Sequence, residues 1–242
     1  MSSFPTAPTS TTGSSTSCGS PTDPAGPRPG VAVIACGALG GHIREIAARR
    51  GWPVEVHALP AGLHNTPGRI GPAAERLAVA LLRSGRTVAL AYADCGTYGE
   101  LDDLGRRLGL RRLPGAHCYD VFAGPDRIEA VLAAEPGTYL LTDFLVRSFR
   151  RSVLEPLGLD RHPELWDDYF RHYRRLVWLA QQPDQALAAR AEEVASMFGL
   201  PLTVIEVGTG RLERELRVLV GGQAEQARPE PAPAGRAGPG TG

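Results

Sequence analysis

Three cysteines are the side chains of this sequence best suited to metal or nucleophilic chemistry. Cys36 and Cys95 each follow a continuous apolar run, and Cys118 lies in a turn that precedes a predicted helix. Three thiolates from separate loops can bind an iron–sulfur cluster with one open iron, or a Zn²⁺ ion with one exchangeable position. The alternative is simple burial, because free cysteine is among the most buried residue types. We predict a metal site at these three cysteines.

Four further side chains are predicted to act as catalytic groups beside the thiols. His64 follows the second predicted strand, and its loop should face the ends of the first and third strands, which makes it the first candidate for moving protons. Asp94 and His117 each immediately precede one of the cysteines. Arg147 lies four residues after Asp143, a spacing that forms an ion pair on a helix surface. If the two face the sheet edge instead, Arg147 is placed to fix a carboxylate substrate.

Three glycines follow the first predicted strand and suggest a binding turn. Gly37, Gly40 and Gly41 precede a predicted helix, a position at which backbone N–H groups can bind phosphate. The spacing is not Gly-x-Gly-x-x-Gly, and the second strand ends in His57-Ala58-Leu59, without the acid that binds a ribose hydroxyl. We therefore predict no nicotinamide dinucleotide (NAD) site. The alternative is that the glycines allow a tight turn beneath a close-packed helix.

Alternating strand and helix patterns predict the fold that positions these residues. Continuous apolar runs, typical of strands covered on both faces, predict strands at residues 31–36, 54–59, 87–92, 138–144, 175–180 and 201–207. Helices are predicted from the first strand to residue 50, over 67–82 and 100–108, after residues 118 and 144, from residue 163, and over 183–198. This order predicts a doubly wound, mostly parallel α/β sheet with helices on both faces, Rossmann-like, whose strand C-termini share one edge.

Composition divides the 242 residues into one predicted domain and two predicted tails. Residues 1–30 are rich in Ser, Thr, Pro and Gly, and residues 223–242 are rich in Ala, Pro and Gly, so both should be disordered. Residues 31–222 then form a single α/β domain. The sequence has no apolar run long enough to span a bilayer and no secretory signal pattern, so we predict a cytoplasmic protein without a membrane partner.

The charged residues exclude several classes of function. The sequence contains no lysine, and its 26 basic residues are all arginine. Without lysine there is no Schiff base for pyridoxal phosphate and no Walker A nucleotide site. The basic residues are balanced by 26 acidic ones, and a net charge of zero argues against binding to nucleic acid.

Six segments of the sequence together resemble one known family. They are VAVIACGALGGHIREI, LPAGLHNTPGRI, AYADCGTYGELDDL, LPGAHCYDVFAG, PGTYLLTDFLVRSF and GLDRHPELWDDYFRHYRRLVWLAQ. The set is similar to the bacterial and archaeal family catalogued as domain of unknown function 1638, over about residues 31–210. The resemblance implies that five residues lie in signature motifs of the family: Cys36, His64, Cys95, His117 and Cys118. It also implies an association with corrinoid-dependent one-carbon metabolism.

Three functions follow from these patterns as alternatives. The first is a cytoplasmic metalloprotein that binds an iron–sulfur cluster or zinc through the three cysteines and acts on a small molecule. The second is a non-catalytic accessory protein, either a metallochaperone or a partner of a corrinoid protein. The third is a metal-free enzyme in which a cysteine such as Cys95 is the nucleophile and His64 or His117 is the base.

Overall fold

The computed structural model describes residues 30–226, whose six strands form two parallel sheets of three strands each. The first sheet has the order β2-β1-β3 and contains β1 (Val31–Cys36), β2 (Val54–Leu59) and β3 (Thr87–Ala91). The helices of this half are α1 (Gly37–Arg50), α2 (Ile70–Arg83) and α3 (Glu100–Leu108). Every residue of β1 is buried, because this central strand is covered on both faces, as its continuous apolar run predicts.

The second sheet follows two connecting helices, α4 (Cys118–Ala123) and α5 (Pro125–Ala134). It has the order β4-β5-β6 and contains β4 (Thr138–Thr142), β5 (Arg175–Ala180) and β6 (Leu202–Glu206). The helical segments of this half are α6 (Asp143–Phe149), a π-helical turn (Arg150–Leu154), α7 (Trp166–Phe170) and α8 (Gln185–Phe198). The central strand β5 is almost entirely buried, as β1 is in the first sheet.

The last helix, α9 (Gly210–Gln226), returns from the second sheet to the first. Its Leu212, Leu216 and Leu219 are spaced four and three residues apart, which places them on one face of the helix. All three are buried in the same apolar cluster as Ile34 of β1 and Leu90 of β3. Each buried leucine contributes about 1.5–3 kcal/mol to stability. Helix α9 therefore completes the core of the first sheet.

The predicted α/β fold with parallel strands is confirmed, and the arrangement is consistent with a doubly wound, Rossmann-like fold. The six strands are divided between two sheets, whereas the sequence predicts one. The difference arises because an apolar run predicts a buried strand but does not specify which strands lie beside it. The strand predicted at 138–144 ends at Thr142, whose hydroxyl accepts a hydrogen bond from Leu145 N and caps α6. The helix predicted from residue 163 is shorter than expected, a 3-10 turn (Pro163–Leu165) followed by α7.

Helix α9 extends beyond residue 222, the predicted end of the domain. Residues 223–226 belong to α9, and the Gln223 side chain joins this last turn to the segment after α3. Its Oε1 atom accepts a hydrogen bond from Arg111 N at 2.8 Å, and its Nε2 atom donates to Gly109 O at 2.9 Å. The rest of the two predicted tails, 1–29 and 227–242, lies outside the described residues. Within 30–226, no helix has the length and apolar composition needed to cross a bilayer.

Candidate functional site

The C-terminal ends of β1 and β3 bring the loops of the three cysteines to one edge of the first sheet. Cys36 is the last residue of β1, and Cys95 follows β3, its parallel neighbour. Cys118 is the first residue of α4, and the segment before it is fixed to this edge, because Cys95 N donates a hydrogen bond to Ala116 O at 2.7 Å. The topology therefore places the three loops as the sequence predicts.

The predicted metal site is nevertheless wrong. Among residues 30–226, no three or more His, Cys, Asp or Glu side chains are arranged so that they could hold a metal ion. Loops that share a sheet edge do not by themselves give the convergent ligand atoms that a cluster or a zinc ion requires. Cys36, Cys95 and Cys118 therefore do not fit an iron–sulfur cluster or zinc, and the predicted function as a metalloprotein in corrinoid-linked metabolism is overturned.

Cys36 and Cys95 are buried thiols, and Cys118 is half-buried at the edge of a cavity. Burial raises the pKa of the Cys36 thiol to about 11 and that of the Cys95 thiol to about 12. It likewise raises the pKa of Cys118 well above its usual range. At neutral pH all three side chains are then uncharged thiols, whereas the thiolate is the nucleophile. These surroundings also argue against the alternative in which Cys95 is an activated nucleophile.

His64 lies beside Cys36, at the sheet edge where the sequence predicts it. It belongs to a 3-10 turn (Ala61–Asn65) that follows β2. Its Nδ1 atom lies 2.9 Å from the carbonyl oxygen of Ala61. Because a carbonyl only accepts, Nδ1 carries the proton of the neutral ring and Nε2 is left as the acceptor. The Sγ atom of Cys36 lies 3.7 Å from Nε2, so the thiol donates a weak hydrogen bond to the imidazole.

His64 lines a cavity of about 240 Å³ where the ends of β1 and β4 approach each other, which we call the neutral cavity. Its polar side chains include His64, Asn65, Tyr119, Tyr139, Thr142 and Ser152. Among the described residues that line it there is no Asp, Glu or Arg. Its position beyond the carboxyl ends of parallel strands is the usual place for a ligand in an α/β fold. The neutral cavity is therefore the candidate functional site.

Tyr92 does not line the neutral cavity but stacks on His64, and the sequence pattern does not predict it as a site residue. Its ring is stacked on that of His64, with centroids 6.3 Å apart and planes 17° apart. The side chain is fully buried, and its hydroxyl has no hydrogen-bond partner in the part of the chain that the structure describes. Burial, and then the nearby Cys36 and Cys95, raise the pKa of Tyr92. The only signal in the sequence that could have indicated Tyr92 is its position at the end of the third predicted strand.

Asp94 and His117 make loop and helix-end contacts outside the neutral cavity. The Asp94 carboxylate accepts hydrogen bonds from Gly99 N at 2.8 Å and Tyr98 N at 3.1 Å. Partial burial alone would raise the pKa of Asp94, but the hydrogen bonds to its carboxylate outweigh burial and lower it. His117 is the N-cap residue of α4, and its backbone N–H donates to Asp120 Oδ2 at 3.1 Å. The catalytic roles of both residues stay predictions.

The expected ion pair between Asp143 and Arg147 does not form. Asp143 is fully buried, and its Oδ1 atom accepts hydrogen bonds from Trp178 Nε1 at 2.9 Å and Gln181 N at 3.0 Å. Arg147 is exposed and lines a second cleft beside α1. The carboxylate thus joins α6 to the end of β5, and the Arg147 guanidinium forms no ion pair with any residue of 30–226.

The three glycines of the first turn differ in what surrounds them. A Cβ atom at Gly37 would lie 2.7 Å from both Leu59 O and Ala61 N, so this position requires glycine for close packing. A Cβ at Gly40 would lie 3.1 Å from the Ala58 side chain, and one at Gly41 would meet nothing within 4 Å. Packing therefore explains Gly37, and the predicted cofactor-binding role of the three stays a prediction.

A family of proteins of unknown function (DUF1638) matches residues 58–216 of this chain. The match covers more than half of the sequence, and the chain belongs to this family. The matched region includes His64, Cys95 and Cys118 but begins after β1, so Cys36 lies outside it. No curated protein and no solved structure matches the chain. The comparisons therefore identify a family without assigning an activity.

Proposed function

We propose that the protein binds a small organic molecule in the neutral cavity and that His64 transfers a proton to or from it. The observation that carries the proposal is that His64, with its proton fixed on Nδ1, lines a cavity without charged side chains among the residues described there. A charged ligand group would lose its hydration in such a cavity without gaining a counter-charge. The molecule is therefore bound through uncharged groups, and a volume of about 240 Å³ favours one smaller than a drug.

The surroundings of His64 suit an acid–base role. The hydrogen bond from Nδ1 to Ala61 O holds the ring in one orientation. Catalytic histidines are oriented in the same way, by a hydrogen bond at the ring nitrogen that does not react. Nε2 faces only a weak donor, the Cys36 thiol at 3.7 Å, which an O–H or N–H group of a ligand can replace. Imidazole changes its charge near neutral pH, so it can both accept and return a proton during one reaction.

Binding is tested with a variant that fills the cavity. Ala61→Leu adds bulk to the lining, and Ala48→Leu makes the same change at an exposed position of α1. The purified full chain and both variants are dialysed against a library of uncharged metabolites, and retained compounds are identified by mass spectrometry. We expect one compound to be retained by the wild type and Ala48→Leu but not by Ala61→Leu. Retention by all three proteins, or by none, would overturn the proposal.

Proton transfer is tested separately with the retained compound in D₂O. The wild type should catalyse replacement of a carbon-bound proton of the compound by deuterium, measured by proton NMR, because O–H and N–H protons exchange with D₂O without a catalyst. His64→Gln removes the titratable group while keeping a polar side chain, so it should bind the compound within about threefold of the wild type and lose most of the exchange. An unchanged exchange rate in His64→Gln would remove His64 from the chemistry and leave a binding protein.

The other predicted partners and the cellular location are supported by the sequence alone. The absence of nucleic-acid partners and a cytoplasmic location are predictions from the composition of the sequence. A corrinoid-type protein partner is implied only by the resemblance described above. The small-molecule partner is the one that the neutral cavity favours.

A further inference from the structure

A second cleft, of about 540 Å³, opens between α1 and α6 next to the neutral cavity. We call it the basic cleft. Its lining includes Gly41, His42, Glu45, Arg147, Arg151 and Gln182. Ala38 and Phe144 line both spaces, so the two adjoin. His42 and the two arginines line the basic cleft and not the neutral cavity, so the two spaces differ in their chemistry.

Two arginines give the basic cleft an excess of positive charge. Arg147 and Arg151 are both exposed, and within residues 30–226 neither makes an ion pair or a side-chain hydrogen bond. The carboxylate of Glu45 also lines the cleft, but it already accepts hydrogen bonds from Arg49 Nη1 at 3.2 Å and Gln182 Nε2 at 2.7 Å. The two guanidinium groups are therefore available to an anion.

His42 lines the same cleft and is a candidate hydrogen-bond donor to the anion. It is only 7% exposed, and no hydrogen bond to either ring nitrogen is formed within the described chain. Its ring packs edge-on against Phe122, with centroids 5.4 Å apart. Burial lowers the pKa of His42, Arg147 lowers it further, and Asp143 and Glu45 act in the opposite direction. A neutral imidazole in the lining has an N–H group that can donate to a bound anion.

Helix α1 adds an electric field but no obvious set of backbone donors. Its first turn borders the cleft through Gly37 and Ala38, and the positive end of a helix dipole favours an anion there. The Ala38 N–H is already directed to Cys36 Sγ at 3.4 Å. The anion contacts must therefore come mainly from side chains, and arginine presents the planar donor pairs that match phosphate oxygens.

We propose that the basic cleft binds the dianionic phosphate of a small phosphate monoester, with Arg147 and Arg151 as ion-pair partners and His42 as a neutral hydrogen-bond donor. The two positive charges of the guanidinium groups balance the two negative charges of a phosphate dianion, whereas a carboxylate carries only one negative charge. The proposal uses residues that do not line the neutral cavity. It therefore stands independently of the function proposed for His64.

The test is calorimetric titration of the full chain with methyl phosphate, inorganic phosphate and acetate at low ionic strength. Arg147→Gln and Arg151→Gln should each weaken methyl phosphate binding about tenfold, the loss of one charge-assisted contact. The matched control is Arg150→Gln, since Arg150 is an exposed neighbour whose Nε atom donates to Glu155 Oε1 at 3.3 Å. It removes the same charge and should leave affinity within about twofold. Circular dichroism verifies that each variant is folded.

A second readout locates the anion without changing a buried residue. In nitrogen-detected NMR of the imidazole rings, methyl phosphate should shift the His42 signals and leave those of exposed His162 in place. No binding by the wild type, equal weakening by Arg150→Gln, or an unmoved His42 would each overturn the proposal. Acetate binding as tightly as methyl phosphate, or rejection of the monoester in favour of inorganic phosphate, would overturn the ligand class.

Discussion

The Nε2 atom of His64 lies 3.7 Å from the Sγ atom of Cys36, although the two residues are 28 positions apart in the sequence. Parallel pairing of β1 with β2 explains their proximity, because it places Cys36 opposite Leu59, just before the turn that carries His64. In this pair the thiol donates and the imidazole accepts. Neither side chain needs a charge, which distinguishes the pair from the thiolate–imidazolium pair of a cysteine nucleophile.

Cys36 should therefore be alkylated slowly in the folded protein. Its thiol pKa is raised to about 11 from an ordinary value of 9.0, so the thiolate fraction at pH 8 falls about a hundredfold. We expect iodoacetamide to modify Cys36 at least about a hundredfold more slowly in buffer than in urea, measured by peptide mass spectrometry. Equal rates in the two conditions would contradict the buried, protonated state of this thiol.

The same thiol should make stability fall at alkaline pH. Above pH 9.0 the unfolded chain releases the Cys36 proton while the folded chain retains it up to about pH 11, so the unfolded state is favoured as the pH rises through this window. Cys36→Ala should make the slope of unfolding free energy against pH shallower between these values, by up to about 1.4 kcal/mol per pH unit. Urea unfolding at several pH values measures it, and an unchanged slope would refute the assignment.

Asp143→Ala should destabilise the protein strongly. The buried carboxylate accepts hydrogen bonds from Trp178 Nε1, Gln181 N and Gln182 N, and its loss leaves these donors without a partner. We expect a loss of about 3–5 kcal/mol in the free energy of unfolding. Asp168→Ala, at an exposed position of α7, should cost less than about 0.5 kcal/mol. Urea titration followed by tryptophan fluorescence distinguishes the two, and similar effects would be evidence against the buried network.

Two glycines of α1 should respond to alanine in opposite directions. Gly37→Ala forces a Cβ against the backbone of the turn after β2 and should cost about 1–3 kcal/mol. Gly41→Ala meets nothing within 4 Å and should stabilise the helix by about 0.5–1 kcal/mol. Thermal unfolding of both variants measures the difference. A stabilised Gly37→Ala would show that the close approach is absent in solution.

The sequence contains enough information to predict the elements and the edge where His64 lies. Continuous apolar runs at Val31–Cys36 and Arg175–Ala180 gave buried strands at their observed places. The same runs do not encode which strands are neighbours, so the division into two sheets was not predictable from them. Helix α9 was missed although Leu212, Leu216 and Leu219 have helical spacing, because four of the five residues between them are charged and the apolar pattern is correspondingly sparse.

The site was predicted less completely than the fold. The prediction that the three cysteine loops share one sheet edge is confirmed. The metal prediction is wrong, because a shared edge does not determine whether the side chains are arranged to hold a metal ion. His42 is visible in the sequence only as a histidine at the start of a helix. Its position beside Arg147 and Arg151 depends on α1 and α6 lining the same cleft, although the two helices lie far apart in the chain.

The return of α9 to the first sheet has a consequence for how the chain is made. A ribosome releases the N-terminal strands first, so β1, β2 and β3 emerge long before the leucines that cover them. The nascent chain must therefore pass through a state in which part of the first sheet is still open to other apolar surfaces. Only a chain that includes α9 can close it, and products truncated before Gly210 would be prone to aggregation or degradation.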